Sequence, residues 1–558
     1  MLLRVSIVFV LLAAVLVAPF ALRPTGDEQN LAGNGAEELV LISPHGESIQ
    51  AEFGRAFVEY MRTEHNRDVV LDWRQPGGTS EIARFLQSEY TVRFENLWKE
   101  KTDLPFRRSI RNAFSDSSLD EAAKKALQDG WTQRLSTLPE EEELPVLARA
   151  LFLESDIGAG IDLFFGGGAY DFGKQAALGT LVSADKTGMY GPAAIRDKHP
   201  DWFSDAALPQ AVGGEPFRDE DLRWVGTVLS AFGICYNEDV YYRLGIDSAP
   251  AHWADLSDPR LFSQIALADP TKSGSSAKAF EMLIQEQIHA RIDQYSEIED
   301  TAVRNGWDEG MRLILKISAN SRYFTDSSAK VPRDVALGDA AAGMCIDFYG
   351  RTFNQIFQSP DGSSHVHFIA PIAGTSIGAD PIGMLRGAPS PDLAHLFIEF
   401  VLSENGQKIW SFRPGEPGGP TRFALRRPPI RRDFYTPENL PHMSDPDVNP
   451  YDLAERFTYR AEWTGSLFSP LRFVIKSSCI DPHEEQQLAW KALIDAGMPP
   501  EGVRAFENVE GIDYKTVSTQ ISLALRAKDK VEEVRLAREL AATFRNRYLE
   551  IARKFGKN

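Results

Sequence analysis

From Leu39 onward the chain alternates short apolar runs with longer stretches of helical periodicity. Leu39-Val40-Leu41-Ile42 reads as a buried strand. Ser43 to Gly46 break it, and from Glu47 the residues Ile49, Phe53, Phe57, Tyr60 and Met61 recur on one helical face. Arg67 to Trp73 predicts a second strand and Pro76 to Ser80 a corner. Glu81 to Tyr90 predicts a helix with Ile82, Phe85 and Leu86 inward. A third strand, Ile161 to Phe165, ends in Gly166-Gly167-Gly168. Strand and helix in this order imply a parallel sheet, because the crossovers must return each strand to the same edge. Between the second helix and third strand, over about residues 91–155, Leu119 to Leu135 has a helical pattern and Glu140 to Glu143 form an acidic run. This segment is expected to be a helical insertion on the sheet's periphery, with the acidic run solvated.

Trp224 to Asn237 is a long apolar stretch rich in β-formers. The alternation then starts again. Ile265 to Ala268 reads as a strand, Asp269 to Ser276 as a turn, Phe280 to Ile288 as part of a helix, and Ala342 to Phe348 as a strand. Val366 to Pro371 predicts a further strand. Pro391 to Leu402 predicts a helix, with Asp392 in its first turn. The expected fold is α/β with two lobes joined by long strands. Lobe 1 covers residues 37–230 and 365–440, and lobe 2 covers 231–364. Residues 441–558 form a helical C-terminal extension. Pro414 to Tyr435 is rich in Pro and Gly with clustered Arg, and predicts a surface wrap whose arginines either form a partner patch or, the simpler reading in an acidic protein, pair internally. Near the end, Ala537, Leu540, Phe544, Tyr548, Ile551 and Phe555 form a stripe at three- and four-residue spacing. It either packs on the main body or offers a face to a partner helix.

With 558 residues the chain exceeds one ordinary core, so two or three domains are expected. A formal charge of -19 argues against a nucleic-acid partner, which needs a basic face. Cys235, Cys345 and Cys479 lack metal-site spacing and read as buried thiols; a Cys235–Cys345 disulfide requires that their strands be neighbours. Arg4, the uncharged run Val5 to Leu22 and Arg23 predict a signal or membrane-anchor segment, followed by a polar linker, over residues 1–36. No enzyme signature is present: no P-loop, GxSxG elbow, HExxH or helix-opening GxGxxG.

Four loops follow strands and share one edge in a doubly wound arrangement: Ser43–Gly46, Gly77–Ser80, Gly166–Gly168 and Thr271–Ser276. Unbonded backbone N–H groups and the positive dipole ends at helix starts favour an anion there. The candidate ligand-binding residues are Ser43, His45, Gly78, Thr79, Ser80, Gly167, Ser273, Gly274, Ser275 and Tyr349. The plainer reading of Thr79, Ser80 and Ser273 is N-capping. Glu81 would repel an anion if it pointed inward. His45 can bind a metal, donate to an anion or brace its loop. Tyr349 offers a phenolate, a hard oxygen donor suited to ferric iron, or simply a buried hydroxyl. Asp347 and Arg351 flank it and read as an inter-lobe salt bridge.

SPHGES followed by FGRAF, then DWRQPGGTSEI, IDLFFGGG, GICYN, ADLSDPR, DPTKSGSS and GPTRFALRRPPIRRDFY, form an ordered set. This set resembles the periplasmic solute-binding proteins of bacterial ABC importers, nearest their iron(III)-type branch, over roughly Leu39 to Tyr435. The resemblance implies a hinged, two-lobed periplasmic-binding-protein type II-like fold. It also implies a non-enzymatic extracytoplasmic receptor, periplasmic or held by its N-terminal helix, that hands a solute to a membrane permease. Ferric-binding members commonly use a His in the first loop, an acidic residue after the third strand and a Tyr-Tyr pair at the end of the second-lobe strand, where Tyr349 is expected. His45 and Tyr349 match as metal ligands. Phe348 stands where the other Tyr would be, and glycines stand where the acid would be. The expected solute is ferric iron or a small phosphate- or phosphonate-bearing anion held between the lobes. The alternative is a solute-binding sensor or assembly subunit acting through its helical C-terminus.

Overall fold

The computed structural model describes residues 35–130, 141–527 and 529–556. The apolar run Val5 to Leu22, the end of the Leu119 to Leu135 pattern and Glu140 lie outside them. Among the described residues no helix is long and apolar enough to cross a membrane.

The first lobe opens with β1 (Glu37–Ile42), α1 (Glu47–Glu64), β2 (Val69–Arg74), α2 (Thr79–Lys101), β3 (Leu163–Phe165), α3 (Ala169–Leu178) and the short β4 (Leu181–Val182). β5 (Val225–Asn237) leads into the second lobe. There follow β6 (Ile265–Ala268), α4 (Gly274–Tyr295), α5 (Glu299–Asn320), β7 (Ser321–Thr325), β8 (Ala342–Ile346), α6 (Asp347–Ile356) and β9 (Val366–Ile369). β10 (Ile377–Leu385) and α7 (Pro391–Leu402) return to the first lobe, and the extension contributes α8 (Phe468–Ile475), α9 (His483–Asp495) and α10 (Lys530–Phe555).

β1 pairs in parallel with β2 and β3, as the crossover order requires. Leu39 and Leu41 enter one core while Val40 and Ile42 enter another, so β1 is buried on both faces. The strand order is β2-β1-β3-β10-β5-β8-β6-β7, with β9 also on β5. All 13 residues of β5 are buried. Val225 to Ala231 pair with β10 in the first lobe, whereas Phe232 to Tyr236 pair with β8 in the second. One strand thus belongs to both half-sheets and can act as a hinge, with residues 370–376 as the return crossing.

Several expectations change. The helical segment before β3 is built into the first lobe: Leu147, Ala148 and Phe152 share a core with Val40, Ile42, Phe164 and Trp224. Its Arg149 is 1% exposed and bonds Asp120 and the carbonyls of Phe114 and Leu178. Cys235 and Cys345 lie on neighbouring strands, yet all three cysteines are buried free thiols. Tyr349 sits in the first turn of α6, not at a strand end. Asp347 and Arg351 pair at 2.9 Å within that helix, and it is Arg351 that reaches Asp445 outside lobe 2, at 3.2 Å. The stripe on α10 is consumed internally. Leu540, Phe544, Tyr548 and Ile551 join the second lobe's core, which removes the proposed partner-helix face.

Beside the return crossing, burial pushes the Glu286 carboxyl up to about 7, against an opposing hydrogen bond from His252. A carboxyl held above its unfolded value adds stability that is complete below the unfolded value and is lost as pH rises through the folded one. Glu286→Gln is therefore expected to be more stable than wild type at pH 8, by on the order of 1–2 kcal/mol, and no more stable at pH 4. Calorimetric scans of both proteins across this range provide the check.

Candidate functional site

The lobes enclose a cleft of ≈ 1340 Å³. Gly46, Gly78, Gly168 and Ser273 line it, and they are the N-caps of α1, α2, α3 and α4. Helix starts leave backbone N–H groups without intrahelical acceptors, and here they come from both lobes. Three of the caps are glycines, which have no side chain to occupy those donors. Glu81 does not face an incoming anion unopposed, because its carboxylate accepts from Gly78 N at 2.8 Å and pairs with Arg84 at 3.2 Å.

At the first-lobe wall, Arg427 Nη2 donates to Asp380 Oδ2 at 2.5 Å and to Ser230 Oγ at 2.9 Å. His45 Nε2 lies 3.4 Å from the same carboxylate, and Gly167 N donates to its other oxygen. A register shift between Asp380 and Pro381 interrupts the β10–β5 ladder at this point, consistent with a bulge that re-aims a strand residue. Burial opposes the charge on Asp380, but Arg427, His45 and the Gly167 N–H outweigh it and hold the carboxyl well below the usual range. Burial lowers the His45 pKa against the opposing pull of Asp380; its ring packs edge-on to Phe165 at 4.7 Å. Gly166, at φ 93°, accommodates that ring: a Cβ there would sit 2.5 Å from His45 Nε2. The Arg427 guanidinium also covers the Phe348 ring at 4.2 Å, which ties the two lobes together.

A second ionic group lines the cleft. Lys278 Nζ lies 2.8 Å from Glu215 and 2.9 Å from Glu281, with its ammonium 3.6 Å from the centre of the Tyr459 ring. Burial works against the charge on Lys278, yet the two carboxylates raise its pKa. Tyr459 and Thr464 hydroxyls donate to Glu281, and Ser376 donates to Glu215.

Of the sequence-predicted residues, His45, Gly78, Thr79, Gly167, Ser273, Gly274, Ser275 and Tyr349 line this one cleft. Ser43 and Ser80 do not. Ser43 Oγ accepts from His45 N at 3.0 Å, and Ser80 Oγ accepts from Arg472, so both hydroxyls are spent on structure. Ser273 Oγ accepts from Ser276 N at 3.3 Å, the plain N-cap role. Tyr349 has no hydrogen-bond partner for its hydroxyl among the described residues, and burial pushes its pKa up, which disfavours a phenolate. His45 Nε2 is turned to Asp380 beside a buried guanidinium. Among the described residues no group of three or more His, Cys, Asp or Glu is placed to hold a metal ion. Missed from the sequence were Asp380, Arg427, Lys278, Glu215, Glu281 and Tyr459. Only Asp380 left a readable signal, as a charge followed by Pro inside an apolar strand.

Residues 160–420 match the model of the family of bacterial extracellular solute-binding proteins. The resemblance drawn from the motifs is thereby met at the level of the family. The chain is 25% identical over 229 residues to an uncharacterised protein of Haemophilus influenzae, covering 37% of this chain and 59% of that one. It is 23% identical over 185 residues to the phosphoglycerate transport regulatory protein PgtC of Salmonella typhimurium, covering 33% and 40%. The chain thus spans between 40% and 59% of the length of these curated relatives. Among solved structures, iron-bound HitA from Pseudomonas aeruginosa superposes with a TM-score of 0.44 at 13% identity, over 78% of this chain and 98% of that one.

Proposed function

We propose that the protein is the extracytoplasmic receptor of an ABC importer, and that it binds a small solute bearing a phosphate or phosphonate group between its lobes. The observation that carries this reading is the set of four helix N-termini, three from one lobe and one from the other, lining a single cleft. Such donors favour an anion and need no net positive charge on the protein. Thr79, Gly168, Gly274 and Ser275 are the proposed anion contacts, the Gly167 N–H being taken by Asp380, and His45 and Tyr349 contact the rest of the solute. A relative named for phosphoglycerate transport supports the same class. A ferric solute has less support, because His45 faces Asp380 and Arg427 neutralises that carboxylate. The proposed permease partner follows from the family alone. The sensor alternative, motivated by the extra C-terminal helices, has less support because their apolar stripe packs into the second lobe's core.

A thermal-shift panel provides the test. Inorganic phosphate, a sugar phosphate, an alkylphosphonate, ferric citrate and a linear diamine are compared at matched ionic strength. A phosphorylated probe at about 100 times its dissociation constant is expected to add about 3 kcal/mol, with no effect from the diamine. A shift with iron accompanied by a visible absorption band, and none with any phosphorylated probe, overturns the anion reading.

A further inference from the structure

A hinged pair of lobes needs two crossings, and β5 and residues 370–376 supply them. This chain crosses a third time. Tyr451 and Ala454 belong to the first lobe's core, whereas Phe457, Tyr459, Trp463, Leu467 and Leu471 belong to the second's. The segment after this crossing lines the cleft through Tyr459, Ala461, Gly465, Ser466 and Phe468. It then reaches back to the first lobe. Arg472 donates from Nε to the Pro270 carbonyl at 2.6 Å and from Nη2 to the Thr271 carbonyl at 3.2 Å, both in lobe 2. The same Nη2 donates to Ser80 Oγ at the start of α2 in lobe 1. Three residues earlier, Ser469 Oγ is 3.0 Å from the Tyr170 hydroxyl, and the Phe468 and Tyr170 ring centres are 4.5 Å apart. Tyr170 opens α3 in lobe 1, so α8 touches the starts of two first-lobe helices while its Leu471, Val474 and Ile475 stay in the second lobe's core. Gly78 meets the Lys272 carbonyl beside these contacts, leaving a Cβ only 2.7 Å away.

We propose that residues 457–475 form an internal latch. The latch closes the cleft on a third side and ties the α2–α3 rim of lobe 1 to lobe 2 with no solute bound. Opening the hinge must then break the Arg472–Ser80 and Tyr170–Ser469 bonds and separate two aromatic rings, so closure does not wait for a solute to bridge the lobes. The proposal rests on the cleft as the solute's place but not on the solute's chemistry.

The test uses the full chain without solute. Nitroxide labels are placed at Gln87→Cys in lobe 1 and Arg333→Cys in lobe 2, both exposed, while the native thiols are buried. Electron–electron distance measurements are expected to give one narrow distribution. Tyr170→Phe with Ser80→Ala removes the latch's two hydrogen bonds to lobe 1 and leaves Arg472 on its two lobe-2 carbonyls, and this variant should give a broader distribution shifted to longer distances. Arg472→Met should do the same. Identical distributions in the double variant and the parent, whether narrow or broad, overturn the latch. A failure of phosphorylated probes to bind overturns the anion reading and leaves these distances unaffected.

Discussion

Asp380→Asn is expected to lower stability by about 3–5 kcal/mol, because it leaves the Arg427 guanidinium buried without a counter-charge. Arg427 is 1% exposed, and its carboxylate partner is the nearest compensation for its lost hydration. The amide keeps the shape and can still accept from Gly167 N, so the loss reports on charge more than on packing. Arg427→Met in the same chain removes the orphaned cation and keeps an apolar contact on Phe348. The double variant should therefore recover most of the loss, giving a coupling energy far outside experimental error in urea titrations. Equal destabilisation by the single and double variants would show that the ion pair is not what holds this wall. The acid response follows from the direction of the Asp380 shift. A depressed carboxyl contributes stability that is present above its unfolded value and is lost as pH falls through the folded one. In wild type that contribution survives mild acid; in Asp380→Asn it is absent at every pH.

The parts of the fold that were legible in the sequence are those where one physical signal dominates. β1, α1, β5 and α7 were readable because apolar runs and helical stripes report burial directly. The post-strand loops were readable because glycines and hydroxyls cluster at strand-to-helix corners, but Ser43, Ser80 and Ser273 spend their hydroxyls on structure. The ionic heart of the site was not readable, for a different reason. Arg427 lies in an arginine-rich wrap in which two other members also find acids: Arg426 with Asp445, and Arg431 with Asp433. Nothing in the local pattern separates the arginine that enters the cleft from those that brace the surface. Glu215, Lys278 and Tyr459 come from three distant parts of the chain, and only the third inter-lobe crossing brings them together. Tyr349 was placed one element too early because the helix starts at Asp347, directly after an apolar strand with no intervening turn residue.

These pairings also decide what the cleft can attract. Its strong charges are largely satisfied from within: Arg427 by Asp380, Lys278 by Glu215 and Glu281, and Lys330 by Asp326. An internally neutralised cation is a weak lure for a solute. Of the backbone donors around the helix starts, Glu81 takes Gly78 N, Asp380 takes Gly167 N and Ser273 Oγ takes Ser276 N, and others in these first turns remain for a solute. The recognition proposed above therefore falls on backbone and hydroxyl groups, which discriminate by geometry as well as by sign.

Lys278→Met tests the other wall and should show a distinctive pH dependence. At pH 7 the substitution leaves Glu215 and Glu281 close together, buried and without the ammonium they share; the expected loss is again about 3–5 kcal/mol. In the variant, burial and mutual repulsion both act to raise the carboxyl pKa values in the folded state. Groups held above their unfolded values cost stability as pH rises and return it as pH falls, so the variant should regain stability on acidification from pH 7 toward pH 5. Wild type has no such recovery from this cluster. Its Lys278 is raised, so the contribution of that ammonium is complete below the unfolded lysine value and is lost only in strong alkali. Thermal midpoints of both proteins at each pH separate the two behaviours. A variant that is equally destabilised at pH 5 and pH 7 would mean that the cluster's worth lies in the lysine's packing on Tyr459, not in its charge. Glu281→Gln added to Lys278→Met should then make no difference, whereas under the charge account it restores stability at pH 7 by leaving Glu215 alone with its Ser376 donor.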